Sequence, residues 1–175
     1  MNAAETMVRM GELAVSAEPG HVLVSLGLGS CIGLALLDRR TRKAGLAHVV
    51  LPESQGHSSE SNPMKFADHA VPELLNRVVR MGARRSSLEA VLVGGASMFA
   101  TSTKSLEVGM RNEAAVREQL SKLRIPVVAT ATGGNRGRTM RVAGGDCAVT
   151  VKESGGGTIT LLDAEASDGF QQERG

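Results

Sequence analysis

Three short apolar runs constrain the fold more than any other feature of this sequence. Residues 22–26, 32–37 and 45–51 are each rich in Val, Leu, Ile and Ala, and each ends at glycine, charged residues or proline. Apolar runs of this length between turn-forming residues are typical of buried β-strands. The last two runs flank the polar stretch Asp-Arg-Arg-Thr-Arg-Lys, which predicts an antiparallel hairpin with a longish loop.

Helical periodicity occurs twice farther along the chain. The first helix is predicted to begin with Asn62 as its cap and Pro63 in its first turn, and to stop at Gly82. Pro72 lies inside this segment, where it removes one backbone donor and predicts a kink. Asn112 is predicted to cap a second helix.

The remaining strands complete the predicted fold. Residues 88–93 and 125–129 flank the second helix, which predicts a right-handed βαβ crossover. Residues 140–142 and 148–151 flank a Gly-Gly-Asp turn, a hairpin signal, and residues 158–162 form a last strand. We therefore predict an α/β or mixed α+β fold, a layered sandwich of mixed strands with about two to three helices.

The chain length favours a single domain. It has 175 residues, and a domain near that size buries roughly 70% of the surface that its unfolded chain exposes. It therefore needs no disulfide or structural metal to fold. We assign residues 1–163 to this domain and expect the polar tail, residues 164–175, to be disordered.

Charge and composition exclude several classes of protein. The net charge is +2, from 20 basic and 18 acidic residues, which is too balanced to indicate a nucleic-acid partner. Aromatic residues make up 2% of the chain, too few for the stacking platforms of single-strand binders. No apolar run reaches the roughly 18 residues of a membrane span, so no membrane insertion is expected.

The number and spacing of the cysteines indicate the cellular compartment in which the protein is expected. Cys31 and Cys147 are the two cysteines, and no Cys-x-x-Cys pair occurs, which rules out a disulfide framework and a four-cysteine zinc site. The N-terminus lacks a basic segment followed by an apolar core. We expect a cytoplasmic protein with free thiols.

Cys31 is the first candidate catalytic residue. It lies between the first two apolar runs, directly after Gly-Leu-Gly-Ser. A nucleophile needs nearby backbone N–H groups to stabilise an oxyanion, and Gly29 and Ser30 would supply backbone of this kind. The alternative is a buried structural cysteine, because free cysteine is among the most buried residue types. The local pattern leaves both interpretations open.

His48 is the second candidate, although a lone histidine in a strand is more often a core residue. In the predicted hairpin the start of one strand faces the end of the other, which brings Cys31 within a few residues of His48. At about 3.3 Å per residue this makes contact possible without proving it. Ser25 could orient the imidazole as a third residue; bonding to the backbone is the simpler alternative.

Other sequence patterns are weaker candidates for a functional site. The glycines of residues 27–33 miss the dinucleotide-binding spacing, and residues 133–138 favour a bend beside a cleft over a phosphate cradle. His21, His57 and His69 lack metal-ligand spacing with Cys31. No cofactor and no metal are predicted. Cys147 is interpreted as a structural residue of a strand, and the arginine-rich stretch 39–43 as a solvated hairpin tip that could meet an acidic helix.

Five short blocks, in order along most of the chain, carry a family resemblance. They are VSLGLGSC at 24–31, GLAHVVLP at 45–52, GGASMF at 94–99, GMRN at 109–112 and TGGNRGR at 132–138. Together they resemble the signature of the chemoreceptor glutamine deamidase family, CheD.

The resemblance implies that selected glutamines of chemotaxis receptors become glutamates with release of ammonia. It implies that Cys31 is the nucleophile and His48 the base. The third residue of the family is a threonine where this chain has Ser25, which keeps the hydroxyl and loses the methyl group. The resemblance also implies a fold similar to that of the deamidating cytotoxic necrotizing factors, and a CheC-type phosphatase as partner.

Two alternative functions stay open at this point. The thiolate of Cys31 could instead attack the glutamyl methyl esters of receptors, which would make the protein a methylesterase. A non-catalytic adaptor that binds the CheC phosphatase is the other alternative.

Overall fold

The structure is a computed structural model that describes residues 4–54, 62–98 and 103–164, with the backbone alone at 103–106. The strands are β1 Ala4–Met7, β2 Leu13–Ser16, β3 His21–Leu28, β4 Ile32–Asp38, β5 Lys43–Val49, β6 Glu89–Gly94, β7 Val127–Thr132, β8 Arg138–Ala143, β9 Val149–Glu153 and β10 Thr158–Leu162. The helices are α1 Ala67–Arg80 and α2 Thr103–Lys122, with 3₁₀ turns at Pro63–Lys65 and Arg85–Ser87.

The strands form two five-stranded sheets. The first sheet has the order β1-β3-β8-β9-β10 and the second the order β2-β5-β4-β6-β7. Each sheet contains one parallel pair, β1 with β3 and β6 with β7, and the other pairs are antiparallel. The predicted mixed α+β class with mixed strands is confirmed, and so is the parallel pairing of the strands that flank the second helix.

Strand β4 lies at the centre of three layers. All seven of its residues are buried, because helices cover one face of the second sheet and the first sheet covers the other. Ile32, Leu34 and Leu36 pack toward the helices, whereas Ala35 and Leu37 pack between the sheets. The uninterrupted apolar run in the sequence follows from this double burial.

The predicted hairpin of β4 and β5 is confirmed. Its register runs from Asp38 opposite Lys43 to Ile32 opposite Val49. Helix α1 lies close to this hairpin at Gly45, where an added Cβ would come within 2.7 Å of Val78 Cγ1. Strands β1 and β2 were not predicted, because their four-residue segments are short and mixed in polarity.

Both helix starts differ from the sequence predictions. Asn62 caps the 3₁₀ turn, and α1 begins at Ala67 with Pro72 inside it. The prediction that Asn112 caps the second helix was wrong, because α2 begins at Thr103. Gly109 lies inside α2, although glycine disfavours a helix interior by about 1 kcal/mol.

The predicted C-terminal tail lies outside the described residues from 165 onward. No helix in the described part of the chain is long and apolar enough to cross a membrane.

Leu74 tests the packing of α1 on the hairpin. It is fully buried and lies against Gly45, so Leu74→Ala leaves a cavity and should lower the free energy of unfolding by about 2–5 kcal/mol in urea titrations. Val79, on the same helix, is 40% exposed, and Val79→Ala should stay within about 0.5 kcal/mol of the wild type. Equal losses in both variants would contradict this packing.

Candidate active site

The turn between β3 and β4, which carries Cys31, is held by the segment that follows β6. The N–H of Ala96 donates to the Gly29 carbonyl at 2.8 Å, and the N–H of Gly95 donates to the Cys31 carbonyl at 2.9 Å. Gly94 has a φ of +115°, and a Cβ there would lie 2.1 Å from the Cys31 oxygen. Only glycine fits this approach.

Asn112 holds the same turn from the side of α2. Its side chain is fully buried, and Nδ2 donates to the carbonyls of Ser30 and Val50, each at 2.9 Å. Oδ1 is buried and has no hydrogen-bond partner in the described residues. One amide thus joins the cysteine turn to the residue that follows β5, a role that the sequence analysis missed.

These contacts fix the direction of the backbone N–H groups in the turn. A trans peptide directs its N–H away from its carbonyl. The carbonyls of Gly29 and Ser30 point at Ala96 and Asn112. The N–H groups of Ser30 and Cys31 are therefore directed away from those partners, as donors to an oxyanion would have to be.

The glycine-rich loop 133–138 supports the segment beneath the turn. The N–H of Gly133 donates to the Gly94 carbonyl, and the N–H of Ser97 donates to the Gly134 carbonyl, both at 2.9 Å. Arg138 Nη1 donates to the Gly133 carbonyl at 2.8 Å. The blocks that carry the resemblance thus meet around one turn.

His48 is held by a segment near the N-terminus. Its N–H donates to the Glu12 carbonyl at 3.1 Å, and its carbonyl accepts from the N–H of Gly11 at 2.9 Å. The ring atom Nδ1 lies 3.1 Å from the Val8 carbonyl oxygen. Residues 8–12, which we call the histidine strap, therefore fix both the backbone and the ring of His48.

The strap also determines the tautomer of the ring. A carbonyl oxygen only accepts, so Nδ1 must carry the proton in this hydrogen bond. In the neutral ring Nε2 is then unprotonated, and it is buried without a hydrogen-bond partner among the described residues. Ser25 Oγ donates to the same Val8 carbonyl at 2.9 Å, so its link to the imidazole runs through this shared oxygen.

Cys31 and His48 lie on the same face of the second sheet. His48 pairs with Gly33, and Cys31 directly precedes β4, two positions before Gly33. Diagonal neighbours in a sheet are about 7–8 Å apart. Gly33 leaves little room between them, since a Cβ there would lie 2.8 Å from Met140 Sδ and the Met140 side chain would have to shift. Since Nε2 has no partner, the thiol and the imidazole are neighbours without a hydrogen bond.

Burial keeps both groups neutral in this state. It raises the pKa of the Cys31 thiol, and the N–H of the same residue offsets part of this. Burial also lowers the pKa of His48, against the opposing effects of the Val8 carbonyl and the charge of Glu12. The resting site therefore holds a thiol beside a neutral imidazole that can accept a proton.

A groove of about 420 Å³ leads to His48 from the strap. It is lined by Met7, Val8, Arg9, Met10, Val24, Leu26 and His48. Met10 and Leu26 at its rim are 61% and 56% exposed. The groove thus presents an apolar surface beside His48, whereas Cys31 is not among its lining residues.

The other candidates from the sequence lie elsewhere. His21 bonds to the hydroxyls of Thr6 and Ser16, and His57 lies outside the described residues. The residues that the structure describes contain no group of three or more His, Cys, Asp or Glu able to hold a metal ion. Cys147 is buried in the turn between β8 and β9 with a φ of +62°, so its placement in a strand was wrong.

The fold and the site define a class of α+β protein in which a thiol and an imidazole share one sheet face beside a backbone-donor turn. The family model described as CheD chemotactic sensory transduction matches residues 50–153, a range that begins just after His48. This chain belongs to the CheD family.

Curated relatives match most of the chain. The "Probable chemoreceptor glutamine deamidase CheD" of Clostridium botulinum (strain Alaska E43 / Type E3) is 44% identical over 163 residues, 92% of this chain and 100% of the relative. The protein of the same name from Clostridium novyi (strain NT) is 43% identical over 159 residues, 90% and 98% of the two chains. The crystal structure of Bacillus licheniformis hypothetical protein YfiH matches with a TM-score of 0.44 and 14% identity, over 68% of this chain and 51% of that one.

The pH profile of cysteine alkylation tests the electrostatics. The raised pKa of Cys31 means that iodoacetamide should modify it with a midpoint above the value of about 8.5 for a free thiol. Burial raises the pKa of Cys147 to about 12, so that thiol should stay unmodified over the same range. Mass spectrometry of the two cysteine peptides measures both, and a midpoint for Cys31 below that of free cysteine would contradict a neutral resting pair.

Replacing Asn112 tests the amide that joins the turn to β5. Asn112→Ala leaves the Ser30 and Val50 carbonyls without this donor, at a cost of about 1–3 kcal/mol for each that stays buried. The free energy of unfolding should fall and alkylation of Cys31 should accelerate as the turn loosens. Asn76, exposed on α1, provides the control, since Asn76→Ala should do neither. Matching results for the two variants would refute the role of Asn112.

Proposed function

We propose that this protein is a chemoreceptor glutamine deamidase with Cys31 as nucleophile and His48 as general base. Its substrates would be selected glutamines on the cytoplasmic helices of methyl-accepting chemotaxis receptors, which become glutamates with release of ammonia. The observation that carries the proposal is the unprotonated, unpartnered Nε2 of His48 on the same sheet face as Cys31. The family and the names of its relatives supply the substrate class.

The first step forms a thioester. A substrate that closes the gap between the two side chains brings Nε2 into position to take the thiol proton while the sulfur attacks the amide carbon. The carbonyl oxygen becomes an oxyanion and accepts hydrogen bonds from the N–H groups of Ser30 and Cys31, the latter no longer needed by the sulfur. The His48 imidazolium then gives its proton to the amide nitrogen, and ammonia leaves.

The second step hydrolyses the thioester. Nε2, again unprotonated, takes a proton from water, and the resulting oxygen nucleophile attacks the thioester carbon. Breaking the C–S bond returns the thiol with the proton that His48 holds, and glutamate is released. Atoms balance as amide plus water giving acid plus ammonia.

Ser25 acts through Val8 in this mechanism. The Val8 carbonyl accepts from both Ser25 Oγ and His48 Nδ1. The Ser25 hydroxyl holds the Val8 carbonyl oxygen in place, and that oxygen holds Nδ1 of the His48 ring. Nε2 is thereby kept as the proton acceptor. A threonine at this position keeps the same donor, which is consistent with the residue found in the family.

The proposed reaction is consistent with a cytoplasmic protein, because free thiols persist there and the substrate helices are the cytoplasmic ones. Both cysteines are free in the structure. A CheC-type phosphatase is the partner that family membership favours.

Ammonia release from a receptor cytoplasmic fragment tests the proposal. Cys31→Ala should lower the rate by about three orders of magnitude or more, as loss of a nucleophile does in other hydrolases. Cys147→Ala is the matched control and should retain activity. Full activity of Cys31→Ala would contradict the mechanism. Release of methanol without ammonia by the wild type would identify a methylesterase, and release of neither product would favour the non-catalytic adaptor.

A further inference from the structure

A cluster of cations lies at the end of β4 that is remote from Cys31. Strand β4 has seven residues, and at about 3.3 Å per residue the two ends are about 20 Å apart. The cluster combines the β4–β5 loop with the loop after α1. We call it the basic end, and it consists of Arg39, Arg40, Arg42, Lys43, Arg84 and Arg85.

A buried carboxylate joins the two loops. Asp38 is fully buried, and its Oδ1 accepts from the N–H groups of Arg40 and Thr41 at 3.1 and 3.3 Å. Its Oδ2 accepts from the N–H of Arg84 at 2.7 Å. The side chain of Lys43 lies near Gly82. The cations are thus carried on backbone that is fixed in advance, which reduces the entropy lost on binding.

The local acidic groups do not neutralise the basic end. Glu89 is occupied by Arg39, whose Nε and Nη2 donate to its two oxygens at 2.8 and 3.1 Å. Asp38 is buried, and Asp146 is the nearby exposed acid, close enough to affect Cys147. Among the described residues, no ion pair involves the four exposed arginines, which are Arg40, Arg42, Arg84 and Arg85.

The surface here is concave and polar. A cavity of about 310 Å³ is lined by Arg39, Arg40, Ser86, Ser87 and Glu89. Glu89 sits in this cavity in a two-pronged contact with the Arg39 guanidinium, the geometry by which arginine recognises carboxylates. The Arg39–Glu89 pair is therefore an example, within this cavity, of an arginine binding a carboxylate.

The chemistry of the basic end selects among anionic partners. Nucleic-acid binding to single strands uses aromatic stacking, and no aromatic residue lies within 39–43 or 84–87. Binding to a bilayer surface uses exposed apolar side chains as well as cations, and the exposed large apolar residues lie outside these two loops. Five of the six cations are arginines, which favour the planar carboxylate.

We propose that the basic end is a docking surface for a carboxylate-rich protein segment, separate from the active site. The partner would place Glu or Asp side chains against Arg40, Arg42, Arg84 and Arg85. Because this surface is at the opposite end of β4 from Cys31, docking holds a partner without altering the catalytic groups. The proposal does not depend on the reaction assigned to Cys31.

Binding of fluorescently labelled poly-L-glutamate to the full chain tests this surface by anisotropy. Two charge reversals, Arg40→Glu with Arg42→Glu and Arg84→Glu with Arg85→Glu, should each raise Kd by about tenfold or more. The control pair Arg124→Glu with Lys152→Glu makes the same change of charge at exposed positions elsewhere and should raise Kd less than about twofold. Circular dichroism establishes that all variants are folded.

Further measurements locate the contact and its chemistry. Hydrogen exchange with bound poly-L-glutamate should protect residues 39–43 and 84–87. Binding should weaken with salt, because the Debye length falls from about 8 Å at 0.15 M to about 3 Å at 1 M. The proposal is overturned if the control pair weakens binding equally, if protection lies elsewhere, or if poly-L-glutamate does not bind. It is also overturned if phosphatidylglycerol vesicles or a single-stranded oligonucleotide bind the basic end more tightly than poly-L-glutamate.

Discussion

The site depends on a close approach between the carbonyl oxygen of Cys31 and the backbone of Gly94. A Cβ at position 94 would lie only 2.1 Å from that oxygen. This close approach lets the N–H of Gly95 hold the turn. A second close approach follows, since a Cβ on Gly109 would lie 2.6 Å from the Gly95 oxygen. Because α2 comes this close, Asn112 reaches the cysteine turn. Glycine backbone, more than side-chain packing, sets the position of Cys31.

The imidazole is positioned by a different device. The histidine strap gives His48 its hydrogen bonds through main-chain atoms of Val8, Gly11 and Glu12. In this arrangement Nδ1–H donates to the Val8 carbonyl, and the buried Nε2 is left as a hydrogen-bond acceptor. A neutral pair of this kind avoids the cost of burying two charges before the substrate arrives. In the proposed mechanism the proton moves only when the attacking sulfur and the substrate are together, so the thiol stays neutral between turnovers.

Much of this arrangement was predictable from the sequence, and the missing parts share a physical reason. The runs around Cys31 and His48 predicted the hairpin, because a strand buried on both faces reads as continuous apolar residues. The strap was not predictable, since it works through carbonyl and N–H groups that every residue has. Asn112 was interpreted as a cap because asparagine is favoured at helix starts, whereas its amide holds the cysteine turn, a contact distant in sequence.

The proposed reaction depends on attack by Cys31 on a glutamine side chain held beside His48. A receptor peptide in which a diazoketone replaces the target side-chain amide is a direct test of this attack. The diazoketone keeps the carbonyl group, and its reactive carbon takes the position of the amide nitrogen. We expect the peptide to alkylate Cys31 and to leave Cys147 free. The parent glutamine peptide should protect Cys31, and deamidase activity should fall in proportion to the fraction of Cys31 modified. Loss of activity without modification of Cys31, or full activity after its complete modification, would contradict the account.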